Sequence, residues 1–324
     1  MIRAVIIFFV AALTLAYAFS DGTAQTSPER LRVSYSSAGI TSIDLFLGRD
    51  LKYFQQQNLD AQLIRMPANL AIAAGISGEI DVLGSIGSAI RAIQRGAPLR
   101  VVSVTLRRPL FFLVARPEYT SVKDLKGKTM GIVTFGGSQH TTAKRLIGLG
   151  GVNADRELTS IQVGEEAQLL QALLSGSIEV AAISAPYAQI GRDKFNLKIL
   201  DSSTDKFASI QNGAAVNLKT LQERPEFLKR FLRARAKANQ YFMEREKEAS
   251  ELLAGIWKTD RKIALESYRS SKPAFTGNGI PTEDEIKEYL ALDAQILGLS
   301  QPMASSNVFD FTLQREVNRE LGIK

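Results

Sequence analysis

A chain of 324 residues, 45% hydrophobic and 23% charged, is long enough for two domains, or two lobes of one, and polar enough for a soluble globular protein. The formal charge is +7, but basic and acidic residues are interleaved, as in EREKEASE, which argues against nucleic acid as a partner. Cysteine is absent, which excludes disulfides, thiol nucleophiles, cysteine-based zinc sites and attachment of lipid to cysteine.

The chain opens with Arg3, an apolar run over residues 4–19, and small residues Ala16, Ala18, Gly22 and Ala24. That order of charge, apolar core and small residues predicts a secretory leader, residues 1–24, cut after Ala18 or, preferably, Ala24. The run is short for a membrane span, which needs roughly 20 residues. Its removal takes away one charge of each sign, Arg3 and Asp21. An exported chain with no anchoring cysteine is expected in a bacterial periplasm.

Beyond the leader, strand-like and helical runs alternate. LRVSY (31–35) reads as a strand, followed by a helix carrying Ile43, Leu47, Leu51 and Phe54. AQLIRM, IDVLG and LRVVSVTL are strands separated by the helices LAIAAGIS and SAIRAIQRG. FFLVA and the end of SVKDLKGKTMGIV are further strands, and a helix follows the loop TFGGSQHTTA (134–143). Strand LTSIQVG, helix EAQLLQALLSG, strand IEVAAIS, a helix from Pro186, and strands LKILD and GAAVN complete this part. After Leu218 helices dominate. The run Lys229, Arg230, Arg233, Arg235 and Lys237, set among Phe227, Phe231, Ala234, Ala238 and Phe242, reads as the solvated face of an amphipathic helix. Thr282 with Glu285 is a capping box opening a helix whose apolar stripe is Ile286, Tyr289, Leu290 and Ile296. The rhythm predicts an α/β protein with mostly parallel sheets flanked by helices.

An internal echo organises the chain. SGEIDVLGS begins at Ser77 and SGSIEVAAIS at Ser175. Each is a helix end closed by glycine, then a short buried strand, then a polar loop. Two lobes of similar topology produce such an echo, and the cleft between their strand ends is a natural small-molecule site.

The residues of that echo also carry a resemblance. LFLGRDLKYFQQQNLDAQLI (45–64), GISGEIDVLGSIGSAIRAIQRGAPLRVVSV (75–104), SVKDLKGKTMGI (121–132) and LLSGSIEVAAISAPYA together resemble the substrate-binding proteins of bacterial ABC importers, in the nitrate, sulfonate, taurine and thiamine-precursor group. Asn58 stands where that group usually has glycine, a mild departure because asparagine also tolerates the left-handed conformation. The resemblance implies a two-lobed periplasmic binding protein fold of type II with a hinge between the lobes. Lobe 1 would span 30–110 with 207–324, and lobe 2 would span 111–206. It also implies a monomer that hands a small ligand to an inner-membrane permease, with no cofactor and no metal.

The loop TFGGSQHTTA has neither the P-loop nor the dinucleotide glycine spacing. It reads instead as a strand-to-helix turn capped by Ser138, whose free amides and helix dipole suit an anion. Phe135, Gly137, Ser138, Gln139 and the only histidine, His140, are candidate ligand-binding residues there. The other candidates lie in loops that follow strands: Ser37, Gly39 and Thr41; Gly84 and Ser85; and Ser184 and Tyr187. Glu165 reads as either an amine ligand or a solvated carboxylate, and Arg65, Arg107 and Arg108 as surface residues that could neutralise an anion.

Three functions compete on these residues. One is a binding protein for a small organic anion or zwitterion such as a sulfonate, taurine or nitrate. Another is a cysteine-free lyase or dehydratase on the same fold, since the resemblance extends to thiamine-pyrimidine synthases and an aromatic desulfinase. A third is a ligand-sensing module. No nucleophile, base and carboxylate are placed together by the sequence, and export disfavours metabolic catalysis.

Overall fold

The structure is a computed structural model that describes residues 27–204, 206–207 and 209–324. The leader, residues 1–24, lies outside the described residues. In chain order the strands are β1 (Glu29–Tyr35), β2 (Leu59–Arg65), β3 (Val82–Leu83), β4 (Leu99–Val104), β5 (Phe112–Ala115), β6 (Thr129–Ile132), β7 (Thr159–Gln162), β8 (Val180–Ile183), β9 (Lys198–Ser202) and β10 (Gly213–Asn217).

They form two five-stranded sheets, ordered β2-β1-β3-β10-β4 and β7-β6-β8-β5-β9. In the first, β1 runs parallel to β2 and β3, while β10 runs antiparallel to β3 and β4. In the second, β6 runs parallel to β7 and β8, while β5 runs antiparallel to β8 and β9. Each sheet with its flanking helices is one lobe of a periplasmic binding protein fold. Among the described residues no helix is long and apolar enough to cross a membrane.

The sequence echo is the middle of both sheets. Gly78 (φ 84°) and Gly176 (φ 78°) end their helices in the left-handed conformation that a side chain disfavours. The strands that follow, β3 and β8, take the third place in their sheets. The acid before each strand does the same job. Asp81 accepts from Arg32 N at 2.9 Å in the middle of β1, and Glu179 accepts from Thr129 N at 2.8 Å at the start of β6, so each carboxylate ties down the neighbouring parallel strand. Asn58 has φ 52°, the left-handed backbone that its place in the turn requires.

The chain crosses between lobes twice, and the two crossings zip together. Gln211 N donates to Leu106 O at 3.1 Å, and Thr105 N and Leu106 N donate to Asn212 O at 2.9 and 3.1 Å. Ser203 N donates to Phe111 O at 2.9 Å, and Phe111 N donates to Ser203 Oγ at 3.0 Å.

Three expectations change. The first predicted helix is broken after Asp50, because Lys52 takes φ 60° before the short helix Tyr53–Gln56 begins. Ile296 is 46% exposed, so it leaves the apolar stripe of the helix Glu283–Leu297, whereas the capping box at Thr282 and Glu285 forms. The basic run on the helix Pro225–Glu244 is not uniformly solvated. Phe227, Phe231, Ala234, Ala238 and Phe242 do bury one face, but Arg235 is buried with them and pairs with the buried Asp44. Helical periodicity put Arg235 beside the apolar stripe, and only the helix Ile43–Asp50 packed against it supplies the carboxylate.

Candidate functional site

A cavity of about 40 Å³ lies between the lobes. It is walled by residues at the carboxyl ends of parallel strands and closed by the crossings, through Phe111, Gln211 and Asn212. The first lobe supplies Ser36, Ser37, Thr41, Ala68, Ser85 and Ser88, and the second Val133, Thr134, Gly137, Ser138, Gln139 and Glu166.

Four helices begin at this cavity: Ala68–Ser77, Ile86–Gln94, Ser138–Leu149 and Glu166–Ser175. The first-turn amides of a helix have no intrahelical acceptor, and the partial positive charge of its N-terminus favours an anion. Two such ends from each lobe therefore face one small space. Among the described residues, no lysine or arginine lines it. The field that would hold an anion comes from backbone and hydroxyl dipoles.

Of the residues expected from sequence, Ser37, Thr41, Ser85, Gly137, Ser138 and Gln139 lie on the cavity wall. Ser85 Oγ donates to Ser36 Oγ at 3.0 Å, which joins two strand-end loops. Gln139 lines the wall with its stem, while its amide staples strands: it accepts from Val133 N at 3.1 Å and donates to Ala182 O at 2.7 Å. Ser138 is not the helix cap. Gly137 holds that place without a side-chain cap, because Gly136 (φ 69°) turns the chain and Gly137 N closes on Thr134 O at 3.0 Å. Ser138 becomes the first helical residue, and its hydroxyl faces Gly87 of the other lobe so closely that a β-carbon there would collide with it.

The remaining candidates sit behind the wall. Gly39 and Gly84 are places of close backbone approach: an added β-carbon would stand 2.8 Å from Ala185 O at Gly39 and 2.6 Å from Ser34 O at Gly84. Ser184 is fully buried and donates from both N and Oγ to Glu166 Oε2, at 2.6 and 2.5 Å. Tyr187 begins the helix Tyr187–Phe195 and is not on the wall. Phe135 is 57% exposed and faces an outer groove rather than the cavity. His140 is buried, and its Nδ1 accepts from Gly136 N at 3.0 Å. Burial lowers its pKa, with Lys144 and Arg91 adding to the effect, so the imidazole is neutral at pH 7 and braces the turn through its lone pair.

Glu165 faces Arg65 of the opposite lobe and forms an ion pair with it. Arg107 pairs with Glu285 at 2.7 Å.

Among the wall residues that escaped the sequence reading are Glu166 and Gln211. Glu166 is the first residue of its helix and is almost fully buried. Burial pushes its carboxyl up to about 7, against the opposing hydrogen bonds from Ser184 and Ser37. The doublet Glu165-Glu166 marked the spot, but only packing decides which carboxylate turns inward. Gln211 is 2% exposed, and both its Nε2 and Oε1 lack a partner among the described residues, as does Thr134 Oγ1. Buried amides are ordinarily satisfied, so an unpaired donor and acceptor on a cavity wall mark a place for a polar ligand. Gln211 lies in an irregular crossing, where periodicity gives no signal.

The sequence profile of the family described as NMT1/THI5 like matches residues 40–249, more than half of the chain. The chain belongs to that family. Solved structures of similar fold cover nearly all of it. The alkanesulfonate-binding protein SsuA of Xanthomonas axonopodis pv. citri, bound to MOPS, is 17% identical with a TM-score of 0.71, over 90% of this chain and 98% of that one. The periplasmic nitrate-binding protein NrtA of Synechocystis PCC 6803 is 13% identical with a TM-score of 0.69, over 92% and 90%. A cysteine-to-serine variant of DszB in complex with biphenyl-2-sulfinic acid is 10% identical with a TM-score of 0.61, over 90% and 99%. At these identities the likeness is one of fold. No curated protein matches the sequence. Among the described residues of this NMT1/THI5-like chain, no cluster of three histidine or acidic side chains could hold a metal.

Proposed function

We propose that the protein is the periplasmic solute-binding component of an ABC importer. It captures a small organic anion or zwitterion, such as a sulfonate, taurine or nitrate, and delivers it to an inner-membrane permease. The observation that carries this reading is the composition of the cavity: four helix N-termini, serine and threonine hydroxyls, and an unsatisfied buried glutamine, on facing lobes. Such a wall binds and orients a polar ligand, and it asks for no covalent chemistry. The size of the cavity favours a ligand of few heavy atoms, and the Glu166 carboxyl favours one that also carries a donor or ammonium group. That the named relatives SsuA and NrtA are binding proteins for alkanesulfonate and nitrate agrees with this reading.

In this reading residues 30–110 with 207–324 form one lobe and 111–206 the other, and the paired crossings are the hinge on which the monomer closes. The leader directs the chain to the periplasm, and the binding reading calls for neither nucleic acid nor a cofactor. The test is a thermal-shift screen of taurine, methanesulfonate, nitrate and bicarbonate, followed by calorimetry. A ligand at about 100 times its Kd adds roughly 2.7 kcal/mol of stability. Gln211→Leu should abolish that gain while leaving the unliganded melting temperature close to the parent's. If none of the four shifts the parent, the small-anion reading fails.

A further inference from the structure

The turn that presents Gly137 and Ser138 to the cavity is held from the opposite lobe. Arg91, on the helix Ile86–Gln94 of the first lobe, is buried and does not line the cavity. Its Nη1 donates to Gly136 O at 2.9 Å, and its Nη2 donates to Thr141 Oγ1 at 3.3 Å; both acceptors belong to the second lobe. Its Nε donates to Asp293 Oδ1 at 2.8 Å within the first lobe, and Gln94 Nε2 donates to Asp293 Oδ2 at 3.0 Å. From the second lobe's side, Gly136 N donates to His140 Nδ1. Gly136 is thus pinned by its carbonyl to one lobe and by its amide to the other.

We propose that Arg91 is a positioning residue for ligand capture: its guanidinium latches the second lobe's glycine turn in the closed arrangement, so that the amides of that turn meet the ligand. The Asp293 pair lies wholly in one lobe, so it orients the guanidinium before closure and little side-chain freedom is lost when the lobes meet. A planar fork is needed for this, because three acceptors in three directions are met at once. The ion pairs that do bridge the lobes, Arg65 with Glu165, Arg192 with Glu266 and Lys194 with Asp260, have cations 53%, 39% and 44% exposed. Water screens such pairs, which leaves the buried latch as the stronger contribution. The effect on ligand affinity rests on the binding reading above; the effect on closure does not.

The absence of cysteine allows specific spin labelling. Leu70→Cys and Leu149→Cys place one label on each lobe, at side chains 57% and 62% exposed. Distances between the labels are measured by electron double resonance, without ligand and with taurine, in three backgrounds: parent, Arg91→Lys and Thr141→Val. Arg91→Lys keeps a cation beside Asp293 but loses the fork, and Thr141→Val removes one acceptor without touching Asp293. Both should shift the unliganded distribution away from the closed distance. Where taurine binds, both should weaken it about 10-fold, the worth of a hydrogen bond to a charged group, through faster release rather than slower capture. Unchanged distributions in folded variants overturn the assignment. Distributions that shift although taurine binds to none of the proteins support the latch and count against the ligand reading alone.

Discussion

Glu166→Gln isolates the most perturbed charge in the cleft. The carboxyl is almost fully buried, and burial raises it from 4.5 to about 7 in the folded protein. Between those values the native state holds a proton that the unfolded chain has released, so stability falls as pH rises from about 4.5 to about 7 and then levels off. A displacement of about 2.5 units, at 1.36 kcal/mol each, is roughly 3 kcal/mol of stability present below pH 4.5 and lost above pH 7. Glutamine mimics the protonated form, and its Oε1 can still accept from Ser184 N and Oγ. The variant should therefore match the parent near pH 4.5 and exceed it by up to about 3 kcal/mol at pH 8. Denaturant titrations at pH 4.5, 6, 7 and 8, with the slope held common, measure this. A difference that stays constant across the range, or a variant weaker than the parent at pH 8, would refute burial as the cause.

Gly87→Val should hinder closure, because its β-carbon collides with Ser138 Oγ across the cleft and sits 3.0 Å from Ile210 O. Overpacking of about 1–3 kcal/mol predicts an affinity lower by roughly 5- to 150-fold in calorimetry with whichever ligand the thermal screen identifies. His140→Ala should cost about 1 kcal/mol at pH 8, because the neutral imidazole accepts from Gly136 N. Its pKa is depressed by burial, so the native contribution is present above the unfolded value of 6.5 and lost as pH falls through the folded one; stability curves of variant and parent should converge in acid. Arg235→Met strands the buried Asp44 and should destabilise by about 3–5 kcal/mol in denaturant, and Asp44→Leu added to it should restore much of that loss.

Much of the frame was legible because it is local. Glycine after a helix, an acid before a buried strand and a β-branched run read the same wherever they occur, so SGEIDV and SGSIEV marked the middle strand of both sheets. The left-handed turn at Asn58 and the cap at Thr282 were legible for the same reason. Ser37, Thr41, Ser85, Gly137 and Ser138 could be placed near the cavity because loops at the ends of parallel strands converge in this topology. Tertiary structure alone decided which side chains turn inward. Glu166 rather than its neighbour faces the cavity, Gln211 enters from an irregular crossing, Arg91 is buried, and Arg235 is buried although the basic run around it reads as a solvated face. The three charged choices depend on a partner elsewhere in the sequence, Ser184 for Glu166, Asp293 and Gly136 for Arg91, and Asp44 for Arg235, while Gln211 is carried inward by the backbone bond of its crossing to Leu106. Burial of a charge is settled by whether such a partner arrives, and periodicity along one segment carries no information about what packs against it.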